Sequence, residues 1–376
     1  MMNYYSLDNI LKIDAQYYII VSSRGNGKTY ACLKKAIENY FNSGEVEQFG
    51  YIRRFDTDFK GNRGAQLFAA HEPIVEKLSK GKYNKIVYYR SSWFMAYQDP
   101  DTYKITKADK PFGFAFGLNV MQHDKSVSFP NITMTIFDEF IAPDNGGYYL
   151  GNECQLYFNT ISTIIRNRDN VKNFLCGNTI SAWNLYTREF NLTNFKNMKP
   201  GDIDVYTYGK GRDQMKVAVE MCPLINETDK DGNIIGKPSD KYFQFDNPGM
   251  QMITGTGTQW QLGSYPHLLE KYKSTDVIFT YFIDFDDELF QCEVINKEGN
   301  MFTYIHRKTT PLKDEDNDII FSLKDDIRIN HRRAINKPIN ELTRKIWWFY
   351  QNDLVFYQDN ELGSKVNNYV NFCKGL

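Results

Sequence analysis

Residues Tyr17–Tyr30, YYIIVSSRGNGKTY, decide how the rest of the chain is read. Tyr17–Val21 is a short apolar run of strand type, and a helical stretch follows from Lys28 to about Phe41. Between them, Ser22–Thr29 (SSRGNGKT) keeps the Gly-x4-Gly-Lys-Ser/Thr spacing of a phosphate loop (Walker A), with Ser22 in the first glycine's place. The chemistry asks for these residue types. Gly25 and Gly27 permit the positive φ angles that curl backbone N–H groups round a phosphate. Lys28 neutralises charge on the β- and γ-phosphates, and the Thr29 hydroxyl is a ligand for Mg²⁺. The helix turns its positive N-terminus toward the same phosphates. Ser23, Arg24 and Asn26 complete the candidate ATP-binding set, Arg24 being a cation where most such loops carry none. A strand–turn–helix connection with a chance Gly-Lys-Thr is the competing reading of the loop taken alone.

Such a loop needs a carboxylate at the end of a neighbouring strand. Ile132–Phe140, ITMTIFDEF, has that form (Walker B): an apolar strand that delivers Asp138 as a metal carboxylate and Glu139 as the carboxylate that polarises the attacking water. Two exposed acids at a strand end are the bland alternative, and each motif supplies the context the other needs. Asn178, after the apolar run Phe174–Cys176, suits either a γ-phosphate sensor or a capped turn. Arg166 and Arg168 close a helical stretch, where solvated arginines are the ordinary reading; the same holds for Lys125.

Alternating strands and helices over the first 200 residues predict a P-loop ATPase domain of the additional-strand (ASCE) α/β type with a mostly parallel sheet. Strand candidates are Phe49–Arg53, Lys85–Tyr89, Gly113–Asn119, Ile132–Phe137 and Asn173–Cys176, with a helix over Tyr157–Ile165. Residues 201–240 read as a small connector, with Met215–Met221 as one amphipathic segment. Residues 241–376 read as a C-terminal α+β domain: a meander over Val277–Phe285, Leu289–Val294 and Met301–His306, then helices over Ile339–Tyr350 and Leu362–Phe372.

Composition excludes more than it asserts. A net charge of −1 rules out a global basic field, so any nucleic acid must be gripped locally or by pooled subunits. The six scattered cysteines form no CxxC pair, and the five histidines no metal-ligand spacing. No signal peptide and no apolar run of about 20 residues stands in the chain, which predicts a cytosolic protein without a membrane partner. No Asn-Lys-x-Asp motif supports a GTPase.

SSRGNGKT with its internal Arg24, FGYIRRF at Phe49–Phe55, and MQHDKSVSFPNITMTIFDEF and RNRDNV within Val120–Val171 are similar to the DNA-packaging (encapsidation) ATPases of phi29-type phages, relatives of large terminases. The resemblance spans nearly all of the first 200 residues. It implies a ring of subunits, five by family likeness, at the portal (connector) vertex of a prohead. The ring drives double-stranded DNA inward with ATP and Mg²⁺, and is absent from the mature virion. It implies that Lys28 and Thr29 bind phosphate and Mg²⁺, that Asp138 holds the metal and that Glu139 is the catalytic base. Arg166 falls where the family has a trans-acting arginine finger, and Lys125 where it has a second trans-acting cation. Arg53 is implied to lie near the nucleotide or the DNA channel. A packaging RNA is a further partner of the family.

Large terminases carry an RNase H-like nuclease in the second half, with clustered acids that bind two metals. Asp284, Asp286, Asp287 and Glu288 (IDFDDEL) invite that reading, yet they also describe a solvated hairpin turn. The resemblance implies a vestigial, non-catalytic domain. Arg328, His331, Arg332, Arg333, Lys337, Arg344 and Lys345 form a basic concentration beside Trp347 and Trp348, suited to RNA, portal or capsid, or simply to a solvated face. The alternatives to a translocating ATPase are a terminase with an active two-metal nuclease and a nucleotide-dependent assembly module without motor activity.

Overall fold

The computed structural model describes residues 4–121, 127–142, 149–211, 214–223, 227–228, 234–235 and 264–374. They fall into two compact units. The first holds residues 1–141, 153–179 and 186–259, and the second residues 142–152, 180–185 and 260–376.

The first unit is built on a ten-stranded mixed sheet. Its strands are β1 (Tyr17–Ser22), β2 (Gln48–Arg53), β3 (Lys85–Tyr89), β4 (Ser92–Gln98), β5 (Ile105–Lys107), β6 (Gly113–Gly117), β7 (Ile132–Asp138), β8 (Lys172–Asn178), β9 (Ile203–Tyr208) and β10 (Met215–Met221). Their spatial order is β3-β4-β6-β2-β7-β8-β1-β10-β9, with β5 paired to β4. The run from β6 to β10 is parallel throughout, while β3, β4, β5 and β9 add antiparallel edges. All six residues of β1 are buried, as a central parallel strand requires. Helices α1 (Lys28–Asn42), α2 (Glu72–Leu78) and α3 (Glu153–Ile165) belong to this unit. One core cluster gathers Ile20, Ala36, Ile37, Phe49, Trp93 and Phe112 with other aromatics.

The stretch read as a connector contributes two strands to this sheet. β10 pairs in parallel with β1, Ile19 opposite Val219, and β9 returns antiparallel to it. Its sequence, MKVAVEM, hides that role because Glu220 looks like a solvent-facing residue. Glu220 is 2% exposed, and its carboxylate accepts a hydrogen bond from Tyr5 Oη at 2.6 Å. A two-residue pair, β11 (Glu227–Thr228) with β12 (Ile234–Ile235), follows. The 240/241 boundary lies outside the described residues.

In the second unit β13 (Val277–Phe285), β14 (Glu288–Lys297) and β15 (Asn300–Arg307) form an antiparallel meander. β16 (Ile320–Ser322) joins β13 in parallel and β17 (His331–Arg332) joins β16, while β18 (Val355–Tyr357) lies parallel to β15. Helices α4 (Glu341–Gln351) and α5 (Asn360–Lys374) supply Ile346, Phe349, Leu362, Val366 and Tyr369 to its core. No helix among the described residues is long and apolar enough to cross a membrane.

Candidate functional site

Strand β1 ends at Ser22, and α1 begins at Lys28 behind Gly27, whose φ is +89°. That left-handed angle suits glycine and few other residues. No side chain caps α1, so the N–H groups of its first turn are offered to the cleft in front of it. Gly25, Asn26, Gly27, Lys28, Thr29 and Tyr30 line that cleft on one side, with Asp138, Glu139, Cys176, Gly177 and Asn178 on the other. Its empty volume of about 530 Å³, open mouth included, lies in the range of roughly 300–1,000 Å³ usual for small-molecule sites. Gly177 allows Phe140 and Ile141 to pack closely behind the cleft: a Cβ there would stand 2.6 Å from Phe140 Cε1.

The Lys28 ammonium is buried and donates to Ser22 Oγ at 2.8 Å, Asn178 Oδ1 at 3.1 Å, and the Ser22 and Ser23 carbonyls at 3.3 Å. Asn178 is therefore brought to the loop, in register with Ser22 across the β1–β8 pair. Thr29 Oγ1 donates to Asp138 Oδ1 at 3.0 Å, and Tyr51 Oη donates to Asp138 Oδ2 at 2.6 Å. Burial, and then the Asp138 charge beside it, hold the Tyr51 phenol well above its ordinary pKa, so it stays a proton donor. The donor set of one ammonium, one hydroxyl and one carboxylate beside a bare helix N-terminus fits a phosphate chain with its Mg²⁺, which takes hard oxygen ligands and keeps several waters. Among the described residues no group of three or more His, Cys, Asp or Glu could hold a metal alone. A cation here would thus share the phosphates as ligands.

Glu139 has φ +59°, a left-handed angle for a non-glycine residue, and lies on the cleft wall. Two arginines from the end of β2 reach it. Arg53 Nη2 donates to Glu139 Oε2 at 2.8 Å and Nε to Asp58 Oδ2 at 3.1 Å, with Nη1 3.6 Å from Asp138 Oδ2. Arg54, 7% exposed, donates to the main-chain carbonyls of Glu139 (3.2 Å) and Phe140 (2.9 Å). It forms a two-pronged pair with Glu153 at 2.7 and 2.8 Å. Removing one partner of such a buried pair costs roughly 3–5 kcal/mol. Tyr51, Arg54 and Glu153 were not singled out from the sequence, and Arg53 entered only through the resemblance, as a residue near the nucleotide or the DNA channel. The only local signal was the arginine doublet after an apolar strand.

Other candidates are placed apart. Ser23 and Arg24 do not line the cleft, and Arg24 is exposed. Arg166 is exposed at the end of α3 with φ +39°. Arg168 is a structural staple, donating to the carbonyls of Phe129, Pro130, Ile132, Ile164 and Ile165. Lys125 lies outside the described residues. Tyr30, which the motif did not single out, stacks on His71 at 4.2 Å.

In the second unit, Asp286 and Asp287 are the two-residue turn between β13 and β14, with φ +55° and +59°. The turn reading of IDFDDEL holds, since Asp and Asn tolerate such angles. Lys365 reaches Glu288, Asp286 (3.6 Å) and Glu361 (3.3 Å), while Lys324 and Ser322 engage Asp284 at 3.2 Å. The basic concentration is largely offset by acids: Arg328 pairs with Asp326 and Glu315, Arg333 with Asp325, and Lys345 with Glu341.

These features define an α/β chain with a mostly parallel mixed sheet and a cleft, lined by Lys28, Thr29, Asp138 and Glu139, beyond the end of the interior strand β1. Residues 2–199 match the model of the Podovirus DNA encapsidation protein (Gp16) family, and the chain belongs to that family. The DNA packaging protein of Bacillus phage phi29 is 30% identical over 194 residues, 50% of this chain and 50% of that protein. The DNA packaging protein of Bacillus phage B103 is 31% identical over 188 residues, 49% of this chain and 50% of that protein. The chain thus aligns with about half the length of the curated relatives it matches. A solved chain from the bacteriophage Phi-29 viral genome packaging motor assembly is similar over 98% of this chain and 99% of its own, with a TM-score of 0.50 and 20% identity, a likeness of fold.

Proposed function

We propose that this chain is the ATPase of a phage DNA-packaging motor, a ring of subunits (a pentamer by resemblance) that hydrolyses ATP to move double-stranded DNA into a prohead in the host cytoplasm. The observation that carries the reading is the 3.0 Å contact between Thr29 Oγ1 and Asp138 Oδ1, which joins the two motifs in one cleft. Lys28 binds the β- and γ-phosphates, and Thr29 and Asp138 hold the Mg²⁺ that offsets charge on their oxygens. Glu139, once released from Arg53, accepts a proton from the attacking water. Asn178 is close enough to Lys28 to report the γ-phosphate. Arg166, exposed at a helix end, serves a neighbouring subunit's site, and Lys125 is assigned a second trans-acting role by resemblance alone. Membership of the encapsidation family and the names of its relatives support DNA as the cargo, and portal, prohead and a packaging RNA are assigned as partners by resemblance alone.

The second unit reads as a non-catalytic RNase H-like domain. Its meander with strands added in parallel at β13 supports the fold. Opposite Asp284 in the β13–β16 register stands Ser322, where a two-metal site needs a second carboxylate. The test is DNA-stimulated ATPase of the purified protein with proheads, scored for nuclease-protected DNA. Lys28→Ala should lose nucleotide binding, and Glu139→Gln should keep binding but lose at least about a hundredfold in rate. Undiminished hydrolysis by both variants sinks the proposal.

A further inference from the structure

We infer that Arg54, anchored by Glu153, is a positioning residue that sets the backbone of Glu139 and couples it to α3, whose far end carries Arg166. The inference rests on the ATPase reading above and deepens it.

Glu139 holds a left-handed backbone angle without being glycine. Such a conformation persists only where surrounding structure over-determines it. Arg54 supplies that restraint by donating to the carbonyls of Glu139 and of Phe140, which belong to the two consecutive peptide links that follow the acid. A guanidinium can do this and bind a carboxylate at once because its five donors lie in a rigid fork, which an ammonium lacks. Its other prongs are fixed on Glu153, 1% exposed, whose Oε1 also accepts from Tyr186 Oη at 2.9 Å. Tyr186 packs its ring edge-on against both Phe137 and Phe140. The clamp is therefore dry, and its geometry is tied to the strand that bears the acids.

Glu153 is the first residue of α3, where a carboxylate also meets the positive end of the helix. Tyr157, one turn on, stacks on Phe137 of β7 at 5.2 Å. The helix continues for 13 residues, about 20 Å at 1.5 Å per residue, and ends at Ile165 beside Arg166. A shift of the Glu139–Phe140 carbonyls must then be followed by Arg54, Glu153 and the start of α3. The state of one subunit's base is linked mechanically to the cation that subunit presents elsewhere.

The experiment uses the full chain and two variants. Arg54→Lys keeps a charge beside Glu153 but loses the fork. The double variant Arg54→Met/Glu153→Met removes both charges together, which leaves no unpaired buried ion. Each is measured for melting temperature, affinity for a fluorescent ATP analogue, kcat and KM. The expected result is affinity and KM within about twofold of wild type and kcat lower by about ten- to a hundredfold, as for a misplaced base. A double variant that melts like wild type and turns over at the wild-type kcat overturns the clamp. So does a parallel loss of affinity and kcat, which is the mark of a merely structural pair. Wild type and Lys28→Ala are assayed alongside: if wild-type hydrolysis does not depend on Lys28, the ATPase reading itself falls, and the clamp with it.

Discussion

Arg53 Nη2 stands 2.8 Å from Glu139 Oε2, so the acid to which the proposed function assigns water activation is held by a cation from the adjacent strand β2. The same guanidinium lies 3.6 Å from Asp138. An ion pair of this kind lowers the availability of the carboxylate as a base until something draws the arginine away.

Replacing the arginine therefore has a defined direction. Arg53→Gln should raise DNA-independent ATPase activity severalfold and reduce its stimulation by DNA and proheads. Steady-state rates with and without DNA check this. A basal rate that drops as far as that of Glu139→Gln would show that Arg53 supports catalysis rather than restraining it.

The exposed position of Arg166 leads to a complementation test. Glu139→Gln and Arg166→Ala subunits should each be nearly inactive alone, whereas their mixture should recover a measurable part of the wild-type rate. Recovery peaks near equal proportions if the arginine serves a neighbour. A mixture that stays inactive, while each variant still assembles with wild type, argues against action between subunits.

The second unit should not cut DNA. With Mn²⁺ and supercoiled plasmid, wild type and Asp284→Ala are expected to be indistinguishable by gel. Lys365, 4% exposed at its side chain among Asp286, Glu288 and Glu361, is expected to act in stability instead. Lys365→Ala should destabilise this unit by on the order of 2 kcal/mol, less than for a fully buried pair because Glu288 and Glu361 keep partial solvent contact. Thermal melting reads this out.

A pH dependence follows from His306 and Glu293, whose Nε2 and Oε1 atoms are 3.6 Å apart. The contact with His306 is the main cause that pushes Glu293 down to about 2, and Glu293 in turn raises His306. The depressed acid contributes stability above its unfolded pKa of about 4.3, lost as pH falls toward 2. The raised histidine contributes fully below about 6.5, and that part is lost as pH rises through its folded value. The melting difference between wild type and His306→Gln should thus be greatest near pH 5–6 and fade by pH 9. Its size stays below about 1 kcal/mol because His306 is partly exposed. A difference that grows with alkaline pH would contradict the assignment.

Much of the architecture was legible because its signals are local. The apolar runs at Tyr17–Val21, Lys85–Tyr89 and Ile132–Phe137 became β1, β3 and β7 with their expected bounds or nearly so. The meander and both C-terminal helices also lay where composition and periodicity put them. β4, β9 and β10 did not announce themselves. β9 is an edge strand, and β10 carries Glu220, whose burial depends on its distant partner Tyr5.

What the sequence determined by itself is the local pattern on which the proposed phosphate loop rests: a left-handed Gly27, the lysine and threonine of the next turn, and an acid pair ending an apolar strand. These need only neighbouring residues and the geometry of a strand running into a helix. Tertiary structure alone decided which groups surround that chemistry. The strand order sets β2 beside β7, and so brings Arg53 and Arg54 to a residue some 86 positions away. Helix α5 likewise carries Lys365 to Glu288, 77 positions off, and turns a suspected metal cluster into an ion-paired turn. Charge pairs are read from space rather than from order along the chain, because electrostatic attraction acts over a few ångströms and chain separation does not enter it.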